Sequence, residues 1–170
     1  MFKTKKIFTL AAAFLLFSTA FLPAQVKEGQ KAPDFTVELL DGTKTSLYKL
    51  TGNGKAVLLN YWATWCPPCR KELPDMNKLS EKLNAQGDSA KLSFFAVCIS
   101  DEKKNCQTFM TKNKFTFTTA IDEQGDSATL YGVQGIPTSF LISSDNTILK
   151  SFVGMMSAKD LKEFVKGYEE

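Results

Sequence analysis

Residues 56–74 read Ala56-Val57-Leu58-Leu59-Asn60-Tyr61-Trp62-Ala63-Thr64-Trp65-Cys66-Pro67-Pro68-Cys69-Arg70-Lys71-Glu72-Leu73-Pro74. Ala56 to Tyr61 is a nearly continuous apolar run, as expected of a central strand buried on both faces. From Pro68 to about Leu83 the pattern turns helical, with Leu73, Met76, Leu79 and Leu83 three and four residues apart. Between strand and helix stand two thiols separated by two prolines. Such a pair can close a small disulfide ring, and a Cys-x-x-Cys that follows a buried strand and opens a helix in a β-α-β pattern is a redox signature. Position differentiates the two. Cys66 lies at the helix N-terminus, where unpaired amides and the helix dipole lower a thiol's pKa, so it is the expected nucleophile. Cys69, one turn in, is suited to attack a mixed disulfide and release product. Pro68 costs little there, because the amide it removes would lack an intrahelical partner.

Working outward, residues 26–33 read as a polar lead-in. Phe35 to Leu40, Asp41-Gly42 and Thr43 to Tyr48 predict a β-hairpin, since Asp-Gly supplies the backbone angles of a tight turn. Gly52-Asn53-Gly54 is a loop before the central strand, and Gln86-Gly87-Asp88 ends the helix. Lys91 to Ile99 predicts a second buried strand, with Ser100-Asp101 as the cap of a helix running to about Asn113. Phe115 to Ala120 fits a short strand or extended loop, and Asp126 to Tyr131 a brief helix ended by Gly132. Thr138 to Ile142 and Ile148 to Val153 flank Ser143-Ser144-Asp145-Asn146 as a second hairpin. Ala158 to Tyr168 closes the chain as an amphipathic helix. Strands alternating with helices give parallel pairing by crossover, and the last hairpin adds antiparallel strands to the same sheet. The class is α/β.

The chain has 170 residues, four cysteines and no histidine. That absence removes serine-histidine and cysteine-histidine nucleophile pairs, histidine-ligated metals and haem attachment from its own repertoire. Its length argues for one domain, and a 44% hydrophobic fraction with 14 phenylalanines supports a real core. The formal charge of +3 is not spread evenly. Lys3, Lys5 and Lys6 precede the uncharged run Ile7 to Phe21, a pattern of positive n-region and apolar h-region. Residues 1–24 are therefore expected to be a signal peptide or N-terminal membrane anchor, with Ala20 and Ala24 as cleavage positions. Removing three of the 21 cationic residues leaves 18 against 18 acidic ones. A formally neutral domain over 25–170 gives no electrostatic case for nucleic acid. Export places the cysteines in an oxidising compartment, where pairs are structural bridges or redox catalysts.

At Asn60 to Pro74 the sequence resembles the active-site stretch of thioredoxin-fold proteins of the TlpA/ResA group. The resemblance covers most of residues 30–168, including Ala32-Pro33-Asp34-Phe35 and Tyr131-Gly132-Val133-Gln134-Gly135-Ile136-Pro137-Thr138. It implies a thioredoxin-like fold, a central mixed sheet flanked by helices, with an N-terminal β-hairpin extension. It implies a thiol-disulfide oxidoreductase whose redox-active disulfide is Cys66–Cys69, with no cofactor and no metal. Pro137 would be the cis-proline facing that pair, and Ile136 would offer backbone groups to an extended substrate, as in strand addition. Trp65 and Pro67 complete the substrate-binding set, whereas Trp62 is assigned to the core. Thioredoxin has a buried aspartate where Asn60 stands; the TlpA/ResA group resembles this chain in asparagine there and glutamate after the motif. Glu72 then either raises the thiol pKa by like-charge proximity or shuttles its proton. The alternative reading is a solvated helix glutamate.

The activity this implies is reduction of envelope protein disulfides by a monomer regenerated by a membrane thiol-disulfide electron donor, with cytochrome c maturation as one role. A dithiol oxidase runs the same machinery in the opposite direction. A peroxiredoxin-like thiol peroxidase shares the Ala-Pro-Asp-Phe stretch, but its threonine three residues before the cysteine is replaced by Ala63. A copper-delivery protein of this fold would need a histidine, and a noncatalytic binding module is at odds with intact Cys66, Cys69 and Pro137. Cys98 and Cys106, with seven residues between them, fit zinc spacing poorly. They form a second disulfide only if strand and helix packing brings their Cα atoms within ~7 Å.

Overall fold

A computed structural model describes residues 26–168; the predicted signal or anchor segment, 1–24, lies outside the described residues. Strand β1 spans Thr36–Leu39, β2 Lys44–Ser46, β3 Ala56–Trp62, β4 Leu92–Ile99, β5 Thr118–Asp122, β6 Thr138–Ile142 and β7 Ile148–Val153. The helices are α1 (Leu47–Thr51), α2 (Pro67–Gln86), α3 (Lys103–Asn113), α4 (Asp126–Leu130) and α5 (Ala158–Phe164). All seven residues of β3 are buried, so the strand needs partners on both edges and cover on both faces. It pairs in parallel with β4 and antiparallel with β6. The sheet order is β2-β1-β5-β4-β3-β6-β7, with the N-terminal hairpin joined through β1 to β5. Both parallel links in the sheet, β3 to β4 and β4 to β5, use a helix as crossover, α2 and then α3.

Alternation along β3 divides the core in two. Ala56, Leu58 and Trp62 face α2, α3 and α5, packing with Leu73, Met76, Met110 and Phe164. Val57, Leu59 and Tyr61 face α1 and α4, packing with Leu47, Ala128, Tyr131 and Phe140. The same parity puts Asn60 on the α2 side. In β4 it puts Phe94, Ala96 and Cys98 on that side as well. Trp62 packs in the core as assigned, fully buried, with its indole N–H donating to Thr119 Oγ1 at 3.2 Å.

Four expectations about element ends are corrected. The second hairpin strand stops at Ser46, because Ser46 Oγ accepts the Lys49 amide at 3.2 Å and starts α1; Leu47 and Tyr48 are helical, and Leu47 is buried. Asp101 does not cap α3 as predicted: the N-cap is Glu102, and the Asp101 carboxylate is turned partly toward Thr64. The stretch Phe115–Ala120, expected as a short strand or extended loop, divides: Thr118 to Ala120 open β5, which runs on to Asp122, while Phe115 and Phe117 join an aromatic cluster with Trp62 and Phe109. The last helix ends at Phe164 and continues as turns. Gly87, at φ +58°, ends α2, a backbone conformation that L side chains adopt rarely.

Candidate active site

Cys66 is the N-cap of α2, and its Sγ accepts the Cys69 amide at 3.2 Å. The two cysteines are disulfide-bonded, with Cα atoms 5.3 Å apart. Pro67 and Pro68 occupy the first turn and have no N–H, while the Arg70 amide goes to the Cys66 carbonyl at 3.1 Å. The helix start thus offers the Cys66 sulfur one amide where a first turn without prolines would offer more. Both sulfurs are enclosed by the surrounding chain, Cys66 with 3% exposure and Cys69 with none.

Opposite the pair, the Ile136–Pro137 bond is cis, and the Ile136 carbonyl oxygen lies 3.6 Å from Cys66 Sγ. This juxtaposition follows from strand pairing. Tyr61 is opposite Thr138 in the β3–β6 ladder, so the residues just before β6 arrive beside those just after β3. Ile136 is half-buried and Pro137 buried. Trp65 is 57% exposed, and its indole N–H donates to the Ser100 carbonyl at 3.0 Å, which holds an aromatic surface beside the disulfide. Pro67 is exposed on the same helix start.

Glu72 is not a solvated helix residue; it is 2% exposed. Its Oε1 accepts from Asn60 Nδ2 at 2.9 Å and its Oε2 from the Met156 amide at 2.9 Å. Asn60 also donates to Ser139 Oγ at 3.0 Å, tying β3, β6 and α2 together under the cysteines. Burial pushes the Glu72 carboxyl up to about 7, against the opposing effect of the Met156 and Asn60 hydrogen bonds. The carboxylate therefore changes protonation near neutrality one helical turn beyond Cys69. Among the described residues no cation is paired with it: both hydrogen-bond donors are neutral groups.

The sequence reading missed Met156, Ser139, Thr64 and Asp101. The Asp101 carboxylate accepts from the Thr64 amide at 2.8 Å, Thr64 Oγ1 at 2.5 Å, the Glu102 amide at 2.9 Å and Asn105 Nδ2 at 3.1 Å. Burial opposes its charge, but these bonds outweigh burial and hold the carboxyl below its usual range. A β-strand, a tight loop and Asp-capped turns carry no local signal that Asp101 fastens the loop preceding Cys66.

Cys98 and Cys106 form a second disulfide with Cα atoms 6.9 Å apart, and both are fully buried. Asp101 Oδ2 lies 4.0 Å from Cys98 Sγ, so Cys98, Asp101 and Cys106 bring three metal-ligating groups within 4.8 Å. Their sulfurs are bonded to each other here, and a disulfide is not the thiolate that binds metal.

The chain matches the AhpC/TSA family over residues 28–151. It is 35% identical over 160 residues to the thiol-disulfide oxidoreductase ResA of Geobacillus thermodenitrificans, covering 94% of this chain and 85% of that one. It is 37% identical over 141 residues to the thioredoxin-like protein YneN of Bacillus subtilis, covering 81% and 78%. Among solved structures, one from Chlorobium tepidum designated a thiol:disulfide interchange protein DsbE superposes with a TM-score of 0.73 at 32% identity, covering 86% of this chain and all of that one. With a mixed sheet flanked by helices, a Cys-x-x-Cys pair opening α2 and these relatives, the chain belongs to the AhpC/TSA family and, within it, to the ResA-like thiol-disulfide oxidoreductases of the thioredoxin superfamily.

Proposed function

We propose that the protein is an exported reductase of protein disulfides, in which Cys66 attacks, Cys69 resolves and Glu72 carries the proton of Cys69. The Cys66 thiolate attacks one sulfur of the client disulfide; that S–S bond breaks, and the departing client thiolate takes a proton. Cys69 then gives its proton to the Glu72 carboxylate, and its thiolate attacks Cys66 Sγ. The mixed disulfide breaks, the second client sulfur leaves as a thiolate that takes a proton from solvent, Glu72 gives up its proton to solvent, and the protein is left with the Cys66–Cys69 disulfide. Two electrons have passed to the client, and a membrane thiol-disulfide donor restores them. Ile136 and Pro137 receive the extended client segment, with Trp65 and Pro67 beside it.

The observation that carries the reductive direction is the buried, unneutralised Glu72 beside a helix start holding two prolines. A negative charge near Cys69 and few amides toward Cys66 both disfavour thiolates. Disfavoured thiolates shift the balance toward the disulfide form of the protein, so it gives electrons away. Export is supported by the lysine-headed apolar run at residues 3–21, and among the described residues no helix is long and apolar enough to cross a membrane. Apocytochrome c and other disulfide-bearing envelope proteins are the clients consistent with this reading. A peroxidase is disfavoured because Ala63 supplies no hydroxyl, and the neighbouring Thr64 hydroxyl is committed to Asp101.

The test is equilibration of the full-length chain with glutathione buffers, read by thiol-trapping mass spectrometry at Cys66 and Cys69. A potential near or below about −220 mV agrees with a reductase, and one near that of a strong oxidant, about −120 mV, overturns it.

A further inference from the structure

A groove of ≈ 750 Å³ runs between the start of α2 and the outer face of α3, bordered at one end by Thr64 and Pro67. Its volume lies within the ~300–1,000 Å³ of ligand-sized clefts. Arg70 and Lys71 line one wall, Lys104 and Lys112 the other, with half-buried Phe109 between them. All four cations are exposed, and no carboxylate lines the groove. Among the described residues the ion pairs are Lys31–Asp145, Lys78–Asp75, Lys103–Glu38 and Lys166–Glu163, so none of the four has an acidic partner. Nearby carboxylates point elsewhere. Glu72 is buried toward Asn60, Glu102 lies in a separate cleft with Glu123, and Asp101 is 9% exposed with its oxygens taken by Thr64, Asn105 and the Glu102 amide.

This is a segregation of charge. Residues from 25 onward carry 18 cationic and 18 acidic side chains, yet four cations converge without an acid at the mouth of the redox site. Unpaired like charges on facing walls repel one another and gain when an anion enters between them. The groove touches Pro67, the residue after the attacking cysteine. Whatever occupies it is held beside Cys66.

We propose that this groove docks an acidic, extended segment of the client protein, flanking the disulfide that Cys66 attacks. The inference rests on the reductase reading above and names the class of client it serves. Carboxylates of the client meet Arg70, Lys71, Lys104 and Lys112, an apolar side chain rests on Phe109, and the disulfide is presented at Trp65 and Ile136. A polypeptide fits better than nucleic acid, because four cations beside a thiol site make a short anchor and no continuous phosphate track is formed.

The test has two arms on the full-length chain. In the first, a cysteine-free peptide of about ten glutamates and serines, carrying a neutral fluorophore, is titrated into the oxidised protein beside its glutamine-for-glutamate isostere and a single-stranded oligonucleotide of equal charge. The acidic peptide should bind about tenfold more tightly than the isostere, and the gap should close between about 50 and 300 mM salt. The double variant Lys104→Gln, Lys112→Gln should lose most of that gap. Equal binding of the peptide and its isostere overturns the inference, as does an undiminished gap in the double variant or tighter binding of the oligonucleotide. In the second arm the same two flanks are built around a disulfide, and reduction is followed. Faster turnover of the acidic form supports the inference, and equal turnover sinks it alone. Binding without reduction of either peptide sinks the reductase reading instead.

Discussion

Asn60 in the middle of β3 donates its side-chain amide to Glu72 on α2 at 2.9 Å, with both side chains removed from water. A cation in that place would neutralise the carboxylate; the neutral amide orients it, and its hydrogen bond lowers the pKa by less than burial raises it. The result is a carboxyl that titrates at about 7, next to a thiol that must lose a proton to react.

The first prediction concerns this group directly. In the proposed mechanism, resolution of the mixed disulfide by Cys69 needs ionised Glu72, whose fraction rises roughly tenfold between pH 6 and pH 8 for a group titrating near 7. Stopped-flow rates for the wild type should therefore show an inflection near pH 7, and Glu72→Gln should lose it. An unchanged pH profile in that variant would mean that Glu72 plays no part in proton transfer.

Stability carries the same signature with a definite sign. Because the folded pKa of Glu72 is raised, the native state holds more protons than the unfolded chain between about 4.5 and 7, and stability falls as pH climbs through that window. The full cost above pH 7 is roughly 3 kcal/mol, as each tenfold change in acidity is worth about 1.4 kcal/mol. Urea melts of the oxidised protein at pH 5 and pH 8 should differ by up to this amount, and most of the difference should vanish in Glu72→Gln.

The proposed division of labour between the thiols predicts different failures. Cys66→Ser should abolish insulin reduction. Cys69→Ser should still attack but stall as a client-linked mixed disulfide, visible as a higher-mass band on non-reducing gels. Stable adducts in Cys66→Ser in place of Cys69→Ser would reverse the assignment.

Pro68→His restores an amide to the first turn of α2 and adds a side chain able to stabilise the Cys66 thiolate. Stabilising the thiolate favours the reduced protein, so the potential should become less negative by about 30 mV or more, equivalent to about 1.4 kcal/mol. Glutathione equilibration measures it directly; no shift would show that the helix start does not set the redox poise.

The second disulfide joins residues eight apart in sequence, with both cysteines buried. Chain-entropy arguments give a link of that span roughly 2–3 kcal/mol. Cys98→Ala with Cys106→Ala should lower the oxidised protein's unfolding free energy by about that much. A loss below about 0.5 kcal/mol would mean that this link constrains little in the unfolded chain.

Part of the fold and of the site is legible in the sequence alone. The unbroken apolar run of β3, the three- and four-residue spacing of α2 and the thiols between them are local patterns, and each is set by backbone geometry within a few residues. The hairpin at Asp41-Gly42 was equally local, but where it stopped was not. Ser46 ends the strand because Lys49 donates to it and Leu47 finds a core to enter.

The sequence by itself determined that two thiols open a helix after a buried strand, and their order is what the proposed roles of attacking Cys66 and resolving Cys69 start from. Only the tertiary structure decided that Glu72 is a buried carboxyl near neutrality, since its partners come from 12 residues back and 84 residues on. Only it brought Ile136 to Cys66, joined Cys98 to Cys106 and gathered Arg70, Lys71, Lys104 and Lys112 around one groove. The physical reason is one of range. Secondary structure follows from near-neighbour periodicity, whereas a pKa and a charge cluster follow from which distant segments exclude water from the same place.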